Sequence, residues 1–424
     1  MAAGRRRAAE VVTEALACAR EHTALGAFWS LAAERALDRA NMVDARVPRS
    51  AARLPLAGVP LAVKDNLDVT GLATTAGLVG EPSPARRDAA AVRLLETAGA
   101  VAIGKTAMDP LGWSTHGQAE GFPPCRNPID PRLSPGGSSS GSAVAVAAGI
   151  VPLGLGTDTA GSLRIPAAFC GIVALKPAWG EVPAEGCLPL APSFDTVGIL
   201  GRTVRDCAAA HDVMAGPLAG RPLAVPAFDA APAAPVGVLA DLFEAADRPI
   251  ASACERTFPG LEAAGIRLQE VRLDWSAPGF GLLLAAELAE TWGARAAREP
   301  ERFPEDILSA IERAQSIDRL RQEDVRSELI AAHSVLHRRM AVFAALLAPT
   351  IPVPVPSVEE ENVETSTRFT RIFSALDWPA LSVPCGVDAS GRPVGIQVAS
   401  ARDIVPAVAV AASVELCARR LTRR

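Results

Sequence analysis

The chain predicts an α/β fold. Short apolar runs of strand length recur along it, at 61–63, 101–103 and 151–155. Segments with apolar residues at helical spacing separate them. Hydrophobic residues make up 49% of the 424, so a large core is available to both kinds of element. Alternating strands and helices of this kind pack as layers.

Taken in order, residues 6–20 carry Val11, Val12, Ala15, Leu16 and Ala19 on one helical face, and a second helix is expected at 32–43. The run 61–63 is a short strand with Lys64 at its end. Residues 88–98 read as a helix that Asp88 can cap and Gly99 can stop. The strand 101–103 follows. A helix of small residues, 142–148, ends at Gly149 and leads into the strand-like run 151–155. Thr203 caps a helix at 204–215. Residues 216–234 are rich in Pro, Ala and Gly and read as a surface connection.

A strand at 236–239, a helix at 249–264 kinked by Pro259, and a strand at 266–273 come next. Residues 282–298 and 305–345 are mostly helical. Buried strands are expected at 346–350 and 380–384, a hairpin turn at 388–391 into 394–398, and a last helix at 405–419. No repeat or low-complexity tail interrupts the pattern. One domain, 1–424, is expected: N-terminal helices (1–45), a core carrying the motifs (46–217), a variable and mostly helical region (218–345), and C-terminal core strands with a helix (346–424).

A net charge of −5 offers no electrostatic footprint for nucleic acid or an anionic membrane. The eight cysteines are scattered, without a Cys-x-x-Cys pair. That pattern suits reduced thiols in a cytoplasmic protein better than a disulfide framework or a zinc site. The basic start is followed by Glu10 and Glu14, so it lacks a signal-peptide core. Apolar runs fall short of membrane-spanning length.

The chemistry concentrates between Ser134 and Lys176. A Gly/Ser loop, Ser134-Pro-Gly-Gly-Ser138-Ser139-Ser140-Gly-Ser142, is too rich in small residues to be packed core. Further on, an apolar run ends in Thr157-Asp158-Thr159-Ala160-Gly161-Ser162. A serine at a strand end, preceded by small residues, sits where backbone N–H groups can converge on a ligand oxygen. Singly, Ser138 reads as a loop serine and Lys64 as a solvated lysine.

Three rival motifs fail on context. Residues 99–106 match a phosphate-loop pattern, but their middle is strand-like and Pro110 obstructs the helix that must follow. Residues 137–141 match a nucleophile elbow without the strand that should precede it. His333 and His337 have zinc-helix spacing, but Ser334 stands where a glutamate is needed. His211 could serve a triad only on a different fold.

Several long motifs, in order, resemble the amidase signature family of serine hydrolases. They are residues 56–66 around Lys64, 104–109, 126–128, the Ser134–Lys176 stretch, 194–198, 379–386 and 393–397. The resemblance implies a mixed central β-sheet covered by helices on both faces. It also implies hydrolysis of a carbon–nitrogen amide bond in a small, linear amide, with no metal or cofactor. In that pattern Ser162 is the nucleophile and Ser138 the bridging serine, preceded by a cis peptide bond. Lys64 is the base, which requires it to be neutral, and burial favours the neutral form. Backbone N–H groups of Thr159, Ala160, Gly161 and Ser162 form the oxyanion site. Ser139 and Arg164 are candidates for substrate binding. Arg164 either meets a substrate carboxylate or pairs with Asp158.

The resemblance leaves two alternatives. One is the glutaminase subunit of an aminoacyl-tRNA amidotransferase. The other is a non-catalytic binding protein on the same scaffold, against which the retention of Lys64, Ser138 and Ser162 argues. A homodimer is also open. Four positions depart from the pattern. Ser140 and Ala160 stand where many relatives have glycine, and Ser374 and Asp377 where relatives often have asparagine and glycine.

Overall fold

The computed structural model describes residues 6–50, 54–80, 82–216 and 231–421. Among these described residues, eleven strands form one sheet: β1 (Phe28–Leu31), β2 (Pro60–Lys64), β3 (Val101–Thr106), β4 (Leu153–Asp158), β5 (Val173–Lys176), β6 (Thr196–Gly201), β7 (Val236–Leu239), β8 (Leu268–Val271), β9 (Ala345–Pro349), β10 (Ala380–Val387) and β11 (Pro393–Ala399). Their spatial order is β1-β3-β2-β4-β6-β5-β10-β11-β9-β7-β8. The sheet is mixed: β2 runs parallel to β3 and β4, β7 runs parallel to β8 and β9, and the other neighbours are antiparallel.

The helices are α1 (Ala8–Glu21), α2 (Ala33–Ser50), α3 (Ala90–Thr97), α4 (Ser140–Ala147), α5 (Arg164–Cys170), α6 (Val204–Ala215), α7 (Ala240–Glu244), α8 (Arg248–Glu255), α9 (Phe258–Ala263), α10 (Phe280–Arg298), α11 (Glu305–Gln315), α12 (Arg319–Met340), α13 (Val363–Thr367), α14 (Thr370–Ala375) and α15 (Ile404–Leu421). They cover both faces, and the strands show why. Successive side chains point to opposite faces. In β2, Leu61 and Val63 join the core under α3, α6 and α15, whereas Ala62 joins the core under α1, α2 and α4. In β3, Ala102 faces the first core and Val101 and Ile103 the second. A third apolar cluster gathers α10, α11, α12 and α14 at one end of the sheet.

Most expected elements are present, with shifted ends. Thr203 caps α6 by accepting the Asp206 N–H at 3.0 Å. Asp88 does not cap α3: its carboxylate accepts from the Thr70 N–H at 2.7 Å and from Arg35 at 3.1 Å, and the helix starts after Ala89. At Pro259 the helix breaks instead of kinking. α8 stops at Glu255, and Pro259 sits in the first turn of α9, where its missing N–H leaves no bond unmade. The stretch 305–345 divides into α11 and α12, and its last residue already belongs to β9. Of the connection 216–234, residues 217–230 lie outside those described. Strands β1, β5 and β6 had no distinct signal. β6 holds two glycines, which weaken strand preference, and its central position in the sheet overrides that.

Candidate active site

Lys64 is the last residue of β2 and is fully buried. The parallel register Val63↔Leu155 brings it level with the end of β4. There its Nζ lies 2.8 Å from Ser138 Oγ and 2.8 Å from Thr157 Oγ1. Among the described residues no carboxylate is within ion-pair distance of it. Burial pushes the Lys64 ammonium down to about 8, against the opposing pull of Cys187 and of Asp109, Asp195 and Asp158.

Ser138 lies in the Gly/Ser loop just before α4, and the peptide bond Gly137–Ser138 is cis. Two devices hold this loop. The Ser139 hydroxyl donates to the Thr157 carbonyl at 3.1 Å, and the Ser139 N–H donates to the Ser162 carbonyl at 3.1 Å. Ser139 is therefore the staple between the loop and the end of β4. It is buried away from the cleft, so its candidacy as a substrate contact gives way to this role. Beneath the loop, Asp109 accepts from Ser114 Oγ and from the N–H groups of His116 and Gly117. Gly137 lies so close to the Asp109 carboxylate that a Cβ there would collide with it.

Ser162 lines a cavity of ≈ 290 Å³, together with Thr159 and Ala160. Trp113, Leu190, Phe280, Leu284 and Val363 make its apolar wall, and His116, Asp306, Glu364 and Arg371 its polar part. Gly161 has φ +142°, and a side chain there would run into Thr370. Ala160 contributes its carbonyl as acceptor for Thr370 Oγ1 at 2.5 Å. Asp195 braces this corner: it accepts from Thr159 Oγ1 at 2.6 Å and from the N–H groups of Leu190 and Ala191. Burial lifts its carboxyl to about 6.

Arg164 is not in the cleft. Its guanidinium is fully buried and pairs with Asp158 at 2.9 Å, while also donating to the Thr370 carbonyl and to Ser374 Oγ, each at 2.8 Å. Burial alone would raise the Asp158 carboxyl, but Arg164 overrides this and holds it below its ordinary value. Of the two readings of Arg164, the structure realises the ion pair. Ser374 has become part of that network. Asp377, in a glycine-like position with φ 49°, accepts from the Trp179 N–H at 2.6 Å.

Sequence reasoning missed Thr157 as a second neighbour of Lys64. It also missed Asn66, whose Nδ2 donates to Thr157 Oγ1 at 3.2 Å. Both adjoin motif residues, and only the strand register joins them. Trp113, Phe280 and Arg371 gave no local signal. His333 and His337 sit on α12 outside the cleft, and most of the 99–106 segment is β3, with Lys105 buried against Asp65.

The family model described as Amidase matches residues 10–403. The chain is 35% identical over 442 aligned residues to a glutamyl-tRNA(Gln) amidotransferase subunit from Symbiobacterium thermophilum, covering 93% of this chain and 90% of that one. It superposes on a solved amidase with TM-score 0.89 at 32% identity, over 98% of this chain and 97% of the other. It superposes on 6-aminohexanoate cyclic dimer hydrolase with TM-score 0.89 at 25% identity, over 100% and 96%. A family match that leaves so little of the chain outside it means that this chain belongs to the Amidase family.

Proposed function

We propose that the chain cleaves a carbon–nitrogen amide bond through an acyl-enzyme on Ser162. The observation that carries this reading is the 2.8 Å approach to Ser138 Oγ of a fully buried lysine that has no carboxylate partner among the described residues. Neutral Lys64 takes a proton from Ser138, which takes one from Ser162 as that oxygen attacks the carbonyl carbon. Backbone N–H groups of residues 159–162 hold the oxyanion. The relay returns the proton to the leaving nitrogen as the C–N bond breaks. Water, deprotonated by the same route, then releases the acid. Lys64, Ser138 and Ser162 supply the whole proton path, so the reading needs neither metal nor cofactor. The cavity volume suits a small, linear amide.

Within this chemistry, a second reading has its own support. The relatives named as glutamyl-tRNA(Gln) amidotransferase subunits favour a role as the amide-cleaving part of a larger assembly, with glutamine as amide donor and protein partners. That reading is the better supported by sequence likeness. The geometry around Lys64 serves both equally.

The test is ammonia release from a panel of amides that includes glutamine, with the purified chain and its Ser162→Ala variant. Expected is turnover by the parent and a loss of roughly four orders of magnitude or more in the variant, with circular dichroism unchanged. Undiminished turnover in a folded Ser162→Ala protein refutes the mechanism. Turnover of glutamine only when partner subunits are added selects the assembly reading.

A further inference from the structure

The cleft holds an arginine that the proposed mechanism does not use. Arg371 lies on α14 and lines the same cavity as Ser162. Its placement is rigid: Thr370, the residue before it, is tied to the Ala160 carbonyl and to Arg164, and Ser374, on the same helix, is tied to Arg164 as well. The buried Arg164–Asp158 pair thus acts as the mount of α14, and Arg371 is the cation it presents.

The guanidinium is only half satisfied. Nη1 donates to Glu364 Oε1 at 2.6 Å, while Nε is buried with no acceptor among the described residues. Glu364 is a weak holder. Its side chain is 78% exposed, against 23% for Arg371, so Glu364 can turn into water at small cost and release Arg371. The other titratable side chains lining the cavity are His116 and Asp306, and Asp306 is exposed, which screens its opposition to an anion. Arginine's planar fork matches a carboxylate, and the fork held by Glu364 is the part of Arg371 that such a ligand would take over.

We propose that Arg371 is the specificity residue of this site and takes a carboxylate carried by the amide substrate, displacing Glu364. The inference rests on the amide-cleaving reading above and names the substrate class for it: small amides that bear an anionic group.

The test compares succinamate with butyramide, its uncharged analogue of similar length. For the full chain, kcat/KM should favour succinamate. Arg371→Gln should lower the succinamate-to-butyramide ratio at least tenfold, and Arg371→Lys should restore only part of it. Glu364→Gln should raise the ratio severalfold, since the competitor is gone. A ratio unmoved in folded Arg371→Gln overturns the proposal. If that variant does not fold, an unmoved ratio in Glu364→Gln overturns it instead. Calorimetric titration of Ser162→Ala protein with succinamate separates the two levels of inference. Binding that is lost on adding Arg371→Gln, with no turnover of either amide by the parent, refutes hydrolysis and keeps the recognition. Turnover of both amides with no Arg371-dependent binding refutes the recognition and keeps hydrolysis.

Discussion

Lys64 ends β2 and Lys105 is the last residue but one of its parallel neighbour β3, and both are fully buried. Their surroundings differ in one respect. Lys105 Nζ meets the Asp65 carboxylate at 2.9 Å and donates to the Ala73 carbonyl and Thr74 Oγ1, each at 3.2 Å. Lys64 Nζ meets two hydroxyls. Burial lowers both ammonium groups, and only at Lys105 does a bonded carboxylate pull against it. Burial is therefore common to a structural lysine and to the proposed base. What separates them is whether a carboxylate shares the burial.

The largest expected effect that could break this contrast is on Lys64. If it acts as a neutral base, Lys64→Arg should be nearly as damaging as Lys64→Ala, because arginine is never deprotonated in a protein. Both should lower kcat by about two to four orders of magnitude. Turnover of one amide by the parent and both variants, with folding checked by circular dichroism, decides it. Substantial activity in the arginine variant would mean that Lys64 acts by charge.

Lys105 should fail in stability instead. Lys105→Met strands the Asp65 carboxylate in the core, and urea unfolding should report a loss of about 3–5 kcal/mol. Lys105→Met combined with Asp65→Asn should recover most of it, since no buried charge remains. A single variant as stable as the parent would show that the buried pair does not hold this part of the core together.

The pH profile sharpens the comparison further. With the Lys64 ammonium pushed down to about 8, the neutral fraction rises with pH. Below pH 8, kcat/KM should climb about tenfold per unit, then level off above it. Lys105, held by Asp65, should contribute no such limb, and Lys105→Met should leave the profile's shape alone. A flat profile from pH 6 to 9 would remove the base from Lys64.

The smallest effect expected is at Thr157. Thr157→Val deletes one of two hydroxyl neighbours of Lys64 while keeping the shape of the site. The bonds from Lys64 and Asn66 are lost, and the one that bears on the base is worth roughly 0.5–1.5 kcal/mol, so the rate should fall about tenfold or less. A loss as deep as that of Lys64→Ala would move Thr157 from positioning Lys64 into the proton path itself.

Legibility in the sequence followed the range of the interactions. The helices α1, α6 and α15 and the strands β2, β7 and β11 announced themselves because an amphipathic period or a cap is a local property. The glycine-rich β6 did not, since its place depends on neighbours far away in sequence. The same holds within the site. Lys64, Ser138 and Ser162 could be picked out by their motifs. The role of Arg164 could not, because its partners Asp158, Thr370 and Ser374 are brought together only by packing α5 against the C-terminal strands.

By itself, then, the order of residues determined the alternating layers, the Gly/Ser loop, and the one lysine and two serines that are proposed to carry the chemistry. Only the tertiary structure decided which of these two buried lysines lacks a carboxylate among the described residues, that Ser139 turns inward as a staple, and that Arg164 is taken up by Asp158 while Arg371 faces the cleft. The reason is physical. Motif chemistry resides in side chains close along the chain, whereas a group's charge state and its availability to a ligand depend on what surrounds it in space. Those surroundings come here from strand register and helix packing across more than two hundred residues.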